Sequence, residues 1–274
     1  MTFITEPFQF DFFLRALIAG VIVGITCGAI GTHVTLRNMS AIGNGLSQCT
    51  LGGVAVGVVV GVHPLAGALA GALFASWLLT VITRHRGIQI DSAIGLVSTS
   101  MFALGVAVVS ANRESAPNLS DLLFGNVLSV TTADIVAVGV VGTLAVTWVE
   151  CMHKELTVVA FDPEGARTIV RDPVRTELLF QLALAGVVVA AVQVVGVLLI
   201  AATLVLPAAT ARINARSALT MLRTSALVGG GIAIVGLYGS YYADVASGPA
   251  IVLAGSTAFA IAWSMHRIPL FARR

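Results

Sequence analysis

The chain has 274 residues, of which 57% are hydrophobic and 10% charged, with mean hydropathy +0.98 and a formal net charge of +2. Soluble domains carry roughly 25% charged residues, and so weak a net charge gives no basic field to attract phosphates. These figures exclude an ordinary soluble enzyme, a disordered protein and a nucleic-acid binder, and predict an all-α polytopic membrane protein with residues 1–274 in one transmembrane domain.

Glu6 and Asp11 precede the first apolar run, where a signal peptide needs a basic region. That run therefore reads as a retained transmembrane helix. The apolar runs are 12–34, 46–62, 64–82, 92–111, 132–150, 177–211, 223–240 and 249–266. Roughly 20 apolar residues cross the hydrocarbon core, so 177–211 is too long for one straight crossing. It predicts either two short crossings or one crossing with a re-entrant half-helix. A bend is expected near Gly196 to Ala202, and Pro207 weakens the second half. With nine crossings and the N-terminus outside, 13 of the 15 Lys and Arg residues fall on the cytoplasmic side, leaving Arg15 and Arg113 outside. This positive-inside bias favours about nine transmembrane helices, with eight as the alternative.

Glycines recur every four residues at Gly20, Gly24 and Gly28, at Gly53, Gly57 and Gly61, and at Gly67 and Gly71. Such stripes let helix backbones approach closely in a membrane. Cys27, Cys49 and Cys151 are isolated and lack C-x-x-C spacing, so neither a disulfide framework nor a structural zinc site is predicted.

Four polar segments stand out. The stretch 35–50, TLRNMSAIGNGLSQCT, reads as a polar loop leading into a glycine-rich helix. Asn44 and Gln48 share a face if helical, and polar groups at membrane depth turn toward other helices or a cavity. They read either as the lining of a translocation path or as interhelical hydrogen-bonding groups. The outer loop 112–131 carries Arg113, Glu114 and Asp121 and offers a surface to an external partner. In the loop 151–176, Asp162 can cap a helix, Pro163 suits its first position and Glu164 meets its positive end. A helix over about 163–170 is expected there, either as a docking element or as a solvated connector. Tyr241 and Tyr242 suit an outer-interface anchor.

The five histidines show no i, i+4 pair, so no metal site within one helix is predicted. The chain has no G-x-x-x-x-G-K-[ST] and no G-x-S-x-G, and its apolar runs carry no carboxylate pair. A membrane-embedded enzyme is not predicted, because no acid, base and nucleophile converge. A stand-alone proton-coupled transporter lacks the ionisable groups it would need inside the membrane.

Several stretches occur together in order: LRNMSAIGNGLSQ (36–48), DSAIGLVSTSMFALG (91–105), LLFGNVLSV (122–130), AFDPEGAR (160–167), VGVLLIAATLVLPAATAR (195–212) and SYYADVASGPAIVL (240–253). In these the chain resembles the permease subunit of ATP-binding-cassette importers for manganese, zinc and iron, the ABC-3 family. The resemblance covers nearly the whole chain. It implies a homodimer of permeases in a bacterial cytoplasmic membrane, a separate ATPase subunit that uses the ATP, and an extracytoplasmic solute-binding protein. Alternating access would carry the cargo, and the permease itself would be a transport subunit, not an enzyme, with no cofactor bound by this chain. It also implies that Asp162, Pro163, Glu164, Gly165, Ala166 and Arg167 form the element that docks the ATPase.

Metal-importing relatives typically read M-S-L-I-G-D-A-L-S-H where this chain reads M-S-A-I-G-N-G-L-S-Q. The Asp and His implied to hold metal in the path are here Asn44 and Gln48, and a typical proline shortly after is Gly53. Carboxamides are much poorer ligands for Mn²⁺ or Zn²⁺ than carboxylate and imidazole. Cys49 is a neighbouring soft donor. The cargo expected is a metal ion or a metal complex, with haem or a non-metal solute as the alternative.

Overall fold

A computed structural model describes residues 11–83, 90–111, 130–162, 165–197 and 199–271. Every regular element among them is a helix: α1 (Asp11–Leu36), α2 (Ile42–Val60), α3 (Pro64–Thr83), α4 (Ile90–Ala111), α5 (Thr132–Cys151), α6 (His153–Phe161), α7 (Ala166–Ile169), α8 (Pro173–Val195), α9 (Ile200–Asn214), α10 (Ala218–Ala243) and α11 (Ser247–Phe271). Eight are long and apolar enough to cross a membrane, namely α1 to α5, α8, α10 and α11. The predicted outer loop 112–131 lies almost wholly outside the described residues.

The long apolar run is broken where expected. Gly196 takes φ 88°, a conformation that favours glycine. It ends α8, and α9 resumes four residues later. With 15 residues, α9 spans only about 22 Å. Ala202 and Thr203 line a small apolar cavity with Val23 and Gly24, a Cβ on Gly31 would meet the Leu204 carbonyl, and Leu36 at the end of α1 packs on the cluster of Ala208 and Ala211. Helix α9 thus runs alongside α1 in the same direction. Phe13 at the start of α1 packs edge-on against Tyr238 and Tyr241 at the end of α10, each 5.4 Å away. With α9 as a short pass, successive crossings alternate and the described chain ends on the face opposite its start. Among the described residues the full-length crossings number eight, the alternative count, and α9 is a shorter apolar helix beside them. The face where α1 ends carries Arg37, Lys154, Arg171, Arg175, Arg212 and Arg216 and reads as cytoplasmic.

Helix α1 is the central element. Its glycines meet α10 at backbone distance: a Cβ on Gly24 would lie 2.4 Å from the Gly229 carbonyl oxygen, and one on Gly28 would lie 2.4 Å from that of Ser225. The Ser225 hydroxyl donates to the Gly28 carbonyl at 2.6 Å. On the other side of the molecule, Gly53 of α2 abuts Gly67 and Gly71 of α3. The predicted stripes are packing faces, with one exception. Gly61 has φ 79° and closes α2 as its C-cap, with nothing close to it.

Two boundaries differ from the sequence reading. Helix α2 begins at Ile42, so most of the expected loop 35–50 is helical. Its IGNG opening has poor intrinsic helix propensity, but Gly43 and Gly45 let it press on Leu204 and Ile94, where a Cβ would come within 2.7 and 2.6 Å. The actual turn is 37–41, with Asn38 at φ 55°. The second difference is α6, a nine-residue helix in a stretch expected to be loop. Its Leu156 is fully buried in the main core.

Candidate functional site

Asn44, Gln48 and Cys49 all sit on the first two turns of α2. A Cβ on Gly43 would meet Leu204 and lie 3.5 Å from Ala201 Cα. That level is shared with Gly31, more than a turn inward from the end of α1. The polar pair therefore sits at membrane depth. Asn44 is exposed, Gln48 is half-buried, and neither carboxamide has a hydrogen-bond partner among the described residues. Cys49 is different: it is 1% exposed and belongs to the main core, a quarter turn away from the face of Asn44 and Gln48. The structure brings two of the three candidates onto one open face and turns the third inward.

That face leaves an unsatisfied polar surface on a helix that is otherwise largely buried. Hydrocarbon does not tolerate unpaired amides. The face therefore needs either a water-filled path or another protein surface against it. Among the described residues no group of three or more His, Cys, Asp or Glu side chains could hold a metal ion.

The second candidate region follows α5. Asp162 ends α6 and caps the next turn, its Oδ1 accepting from the Gly165 N–H at 2.8 Å while its carbonyl accepts from Ala166 N–H at 2.9 Å. The turn that follows, α7, is shorter than the predicted 163–170 helix and is closed by Val170. Ala166 is fully buried and Val170 nearly so. Pro163 and Glu164 lie outside the described residues, as does the side chain of Arg167. Asp172 then caps α8 by accepting from Arg175 N–H at 3.2 Å, with Pro173 at the first helical position.

Sequence reasoning missed a third cluster. His33 on α1, Arg37 just beyond its end, His153 on α6, and Glu177 and Phe180 on α8 meet at the cytoplasmic end of the bundle. The His33 ring is fully buried, with its Nε2 3.4 Å from His153 Nδ1. The Arg37 guanidinium pairs with the Glu177 carboxylate and lies over the Phe180 ring, 4.4 Å from its centroid. Gln181, one turn further along α8, accepts from the Thr80 hydroxyl of α3 at 2.7 Å. The residues come from separate segments, so no local spacing announces them. The nearest signal was a charged residue, Glu177, at the edge of an apolar run.

Burial holds the His153 imidazole below its ordinary pKa, and Glu150 partly opposes this. The unfolded chain takes up that proton near pH 6.5. The neutral form's stabilising contribution is therefore complete above that pH and is lost as the pH falls below it. Protonation would also set a cation beside His33 and Arg37. The melting temperature of the purified protein should fall between about pH 7.5 and 5.5, and His153→Gln should remove part of that fall. An equal fall in the variant would assign the acid sensitivity elsewhere.

The fold and these faces define a multi-pass helical membrane protein with a polar surface at membrane depth and a capped cytoplasmic segment. The chain belongs to the ABC 3 transport family, whose model matches residues 9–266. Over 262 residues it is 35% identical to the manganese import system permease protein ScaB of Streptococcus gordonii, covering 95% of this chain and 94% of that one. It is 30% identical over 247 residues to the chelated iron transport system membrane protein YfeC of Yersinia pestis, covering 90% and 84%. The solved structure of PsaBC from Streptococcus pneumoniae in complex with Fab superposes with TM-score 0.84 at 34% identity, covering 95% and 94%. The chain is accordingly a multi-pass protein of the bacterial cytoplasmic membrane.

Proposed function

We propose that this chain is the membrane-spanning subunit of an ATP-binding-cassette importer. Two copies form the translocation path between them, and a separate ATPase drives alternating access. An extracytoplasmic binding protein delivers the cargo. The chain binds no ATP or cofactor and makes or breaks no bond. The cargo is a metal, as the names of the manganese and chelated-iron relatives suggest.

One observation carries most weight within the chain. Asn44 and Gln48 form an open polar face at membrane depth with no hydrogen-bond partner among the described residues. A shared path between two copies satisfies such a face. Because both groups are neutral amides, this face favours a metal that arrives with part of its ligand shell over a bare divalent ion. The segment around Asp162, Pro163, Glu164, Gly165, Ala166 and Arg167 is the ATPase docking element. The Asp162 cap on Gly165 N–H and the short helix α7 that follows support that role.

The test is affinity purification of the tagged chain from its native membrane in mild detergent, with partners identified by mass spectrometry. Recovery of an ATPase carrying a P-loop, together with an exported binding protein, is expected. Recovery of the chain alone in several detergents would favour a stand-alone transporter. On the same preparation, Glu164→Arg should lose the ATPase while still inserting in the membrane. Unchanged co-purification would remove the docking assignment.

A further inference from the structure

The buried cluster at the cytoplasmic end joins the two regions just described. On one side it holds α6, which leads directly into the capped turn at Asp162. His153 meets His33, Leu156 is fully buried in the core, and Glu155 lies 3.5 Å from the Thr176 hydroxyl at the start of α8. On the other side it holds the turn that presents α2. Arg37 is the first residue beyond α1, and its side chain is only 4% exposed.

From Arg37 the chain reaches Asn44 through a short hydrogen-bonded turn. Arg37 N–H donates to His33 O at 3.1 Å, Met39 N–H to Val34 O at 3.0 Å, and Ile42 N–H to Met39 O at 3.0 Å. Such a turn passes movement on with little slack. Phe180 is the shared floor, beneath the Arg37 guanidinium and 6.1 Å from the His33 ring centroid.

A buried ion pair is a poor device for stability alone, because an apolar replacement often serves as well. This one also leaves Arg37 Nε and Nη2 without hydrogen-bond partners among the described residues. What the pair does supply is a single position for Arg37 relative to α8. We infer that Arg37, Glu177 and Phe180 are positioning residues that carry displacement of the α6–α7 segment into the α1–α2 turn, so that ATP hydrolysis moves the helix bearing Asn44 and Gln48. None of the three touches cargo. The inference rests on the reading of the α6–α7 segment as the ATPase docking element.

The experiment uses the complete complex with its ATPase, and its readout needs no knowledge of the cargo. A reporter cysteine is placed by Asn44→Cys in a Cys151→Ser background, since Cys27 and Cys49 are buried. Its labelling rate by a water-soluble maleimide is measured without nucleotide and with ATP plus vanadate. In the reporter background the two rates should differ by about fivefold or more, the lower end of typical coupling between two sites. With Glu177→Gln the difference should fall below about twofold while ATP turnover stays within about threefold. The charge exchange Arg37→Glu with Glu177→Arg should restore the difference.

Equal rates in the reporter background would overturn the inference, because α2 would then not move with nucleotide. A nucleotide response that survives Glu177→Gln would overturn it too. So would a parallel loss of ATP turnover or assembly, which marks a merely structural role. Failure of the docking reading shows on a different variant, as retained ATPase co-purification in Glu164→Arg.

Discussion

Gly24→Val is expected to abolish recovery of folded, monodisperse protein. A Cβ at Gly24 would lie 2.4 Å from the Gly229 carbonyl oxygen, and a Cβ at Gly229 would lie 2.1 Å from that of Gly24. Both obstacles are backbone, so no rotamer change relieves them. Overpacking that side chains can absorb costs about 1–3 kcal/mol. Here α1 and α10 must separate, which also strains the 2.6 Å bond from the Ser225 hydroxyl to the Gly28 carbonyl one turn away. A loss beyond about 3 kcal/mol is a large part of the 5–15 kcal/mol that holds a typical protein folded.

Gly231→Val and Gly239→Val are the controls, because a Cβ at either position meets nothing within 4 Å. Both lie inside α10, the partner helix of Gly24, so each carries the same glycine-to-valine change in helix propensity without the backbone clash. Size-exclusion profiles and melting temperatures in detergent decide the matter. If Gly24→Val behaves like the controls, the close α1–α10 approach is not what holds the bundle together.

The spans were legible because hydrocarbon enforces long apolar runs and excludes charge. The break at Gly196 was legible because 177–211 exceeds one bilayer crossing and holds one of the few points where the chain can turn. The start of α2 was not, since Gly43, Asn44 and Gly45 read locally as loop. The close approach of Gly43 to Leu204 and of Gly45 to Ile94 sets them in the helix. The cap at Asp162 was visible in its own spacing, whereas α6 before it depends on Leu156 finding the core.

The site divided in the same way. Asn44 and Gln48 share a face because four residues separate them on a helix, and that needs no tertiary information. That Cys49 turns into the core depends on which side of α2 meets its neighbours. The meetings of His33 with His153 and of Arg37 with Glu177 span 120 and 140 residues of sequence. Neither leaves a periodic trace. A buried arginine at the end of an apolar helix needs a carboxylate, but the sequence does not say which one.

The double substitution Asn44→Asp with Gln48→His is expected to create tighter binding of Mn²⁺ or Zn²⁺ in the membrane path. Both positions lie on the accessible side of α2, one turn apart, and neither side chain is held by a hydrogen bond among the described residues. Their replacements can therefore turn toward a common ion at little conformational cost. A carboxylate supplies charge and an imidazole supplies a nitrogen donor, which are the ligand types these ions prefer over neutral amides. An increase in affinity of about tenfold or more, near 1.4 kcal/mol, is expected for the pair. Each single variant should gain less. Bound metal per chain, measured by mass spectrometry after equilibration at fixed free Mn²⁺ and again at fixed free Zn²⁺, reads the effect directly.

The same double variant tests the cargo reading. If the native path favours a metal with part of its ligand shell in place, stronger ligands on α2 should retain the ion and slow its release. Uptake should then fall as binding rises. Tighter binding with unchanged or faster uptake would mean that the native chain already handles the bare ion, with Asn44 and Gln48 as simple replacements. No gain in binding would mean that this face does not border the path, and that the partner surface covering it is a packing interface.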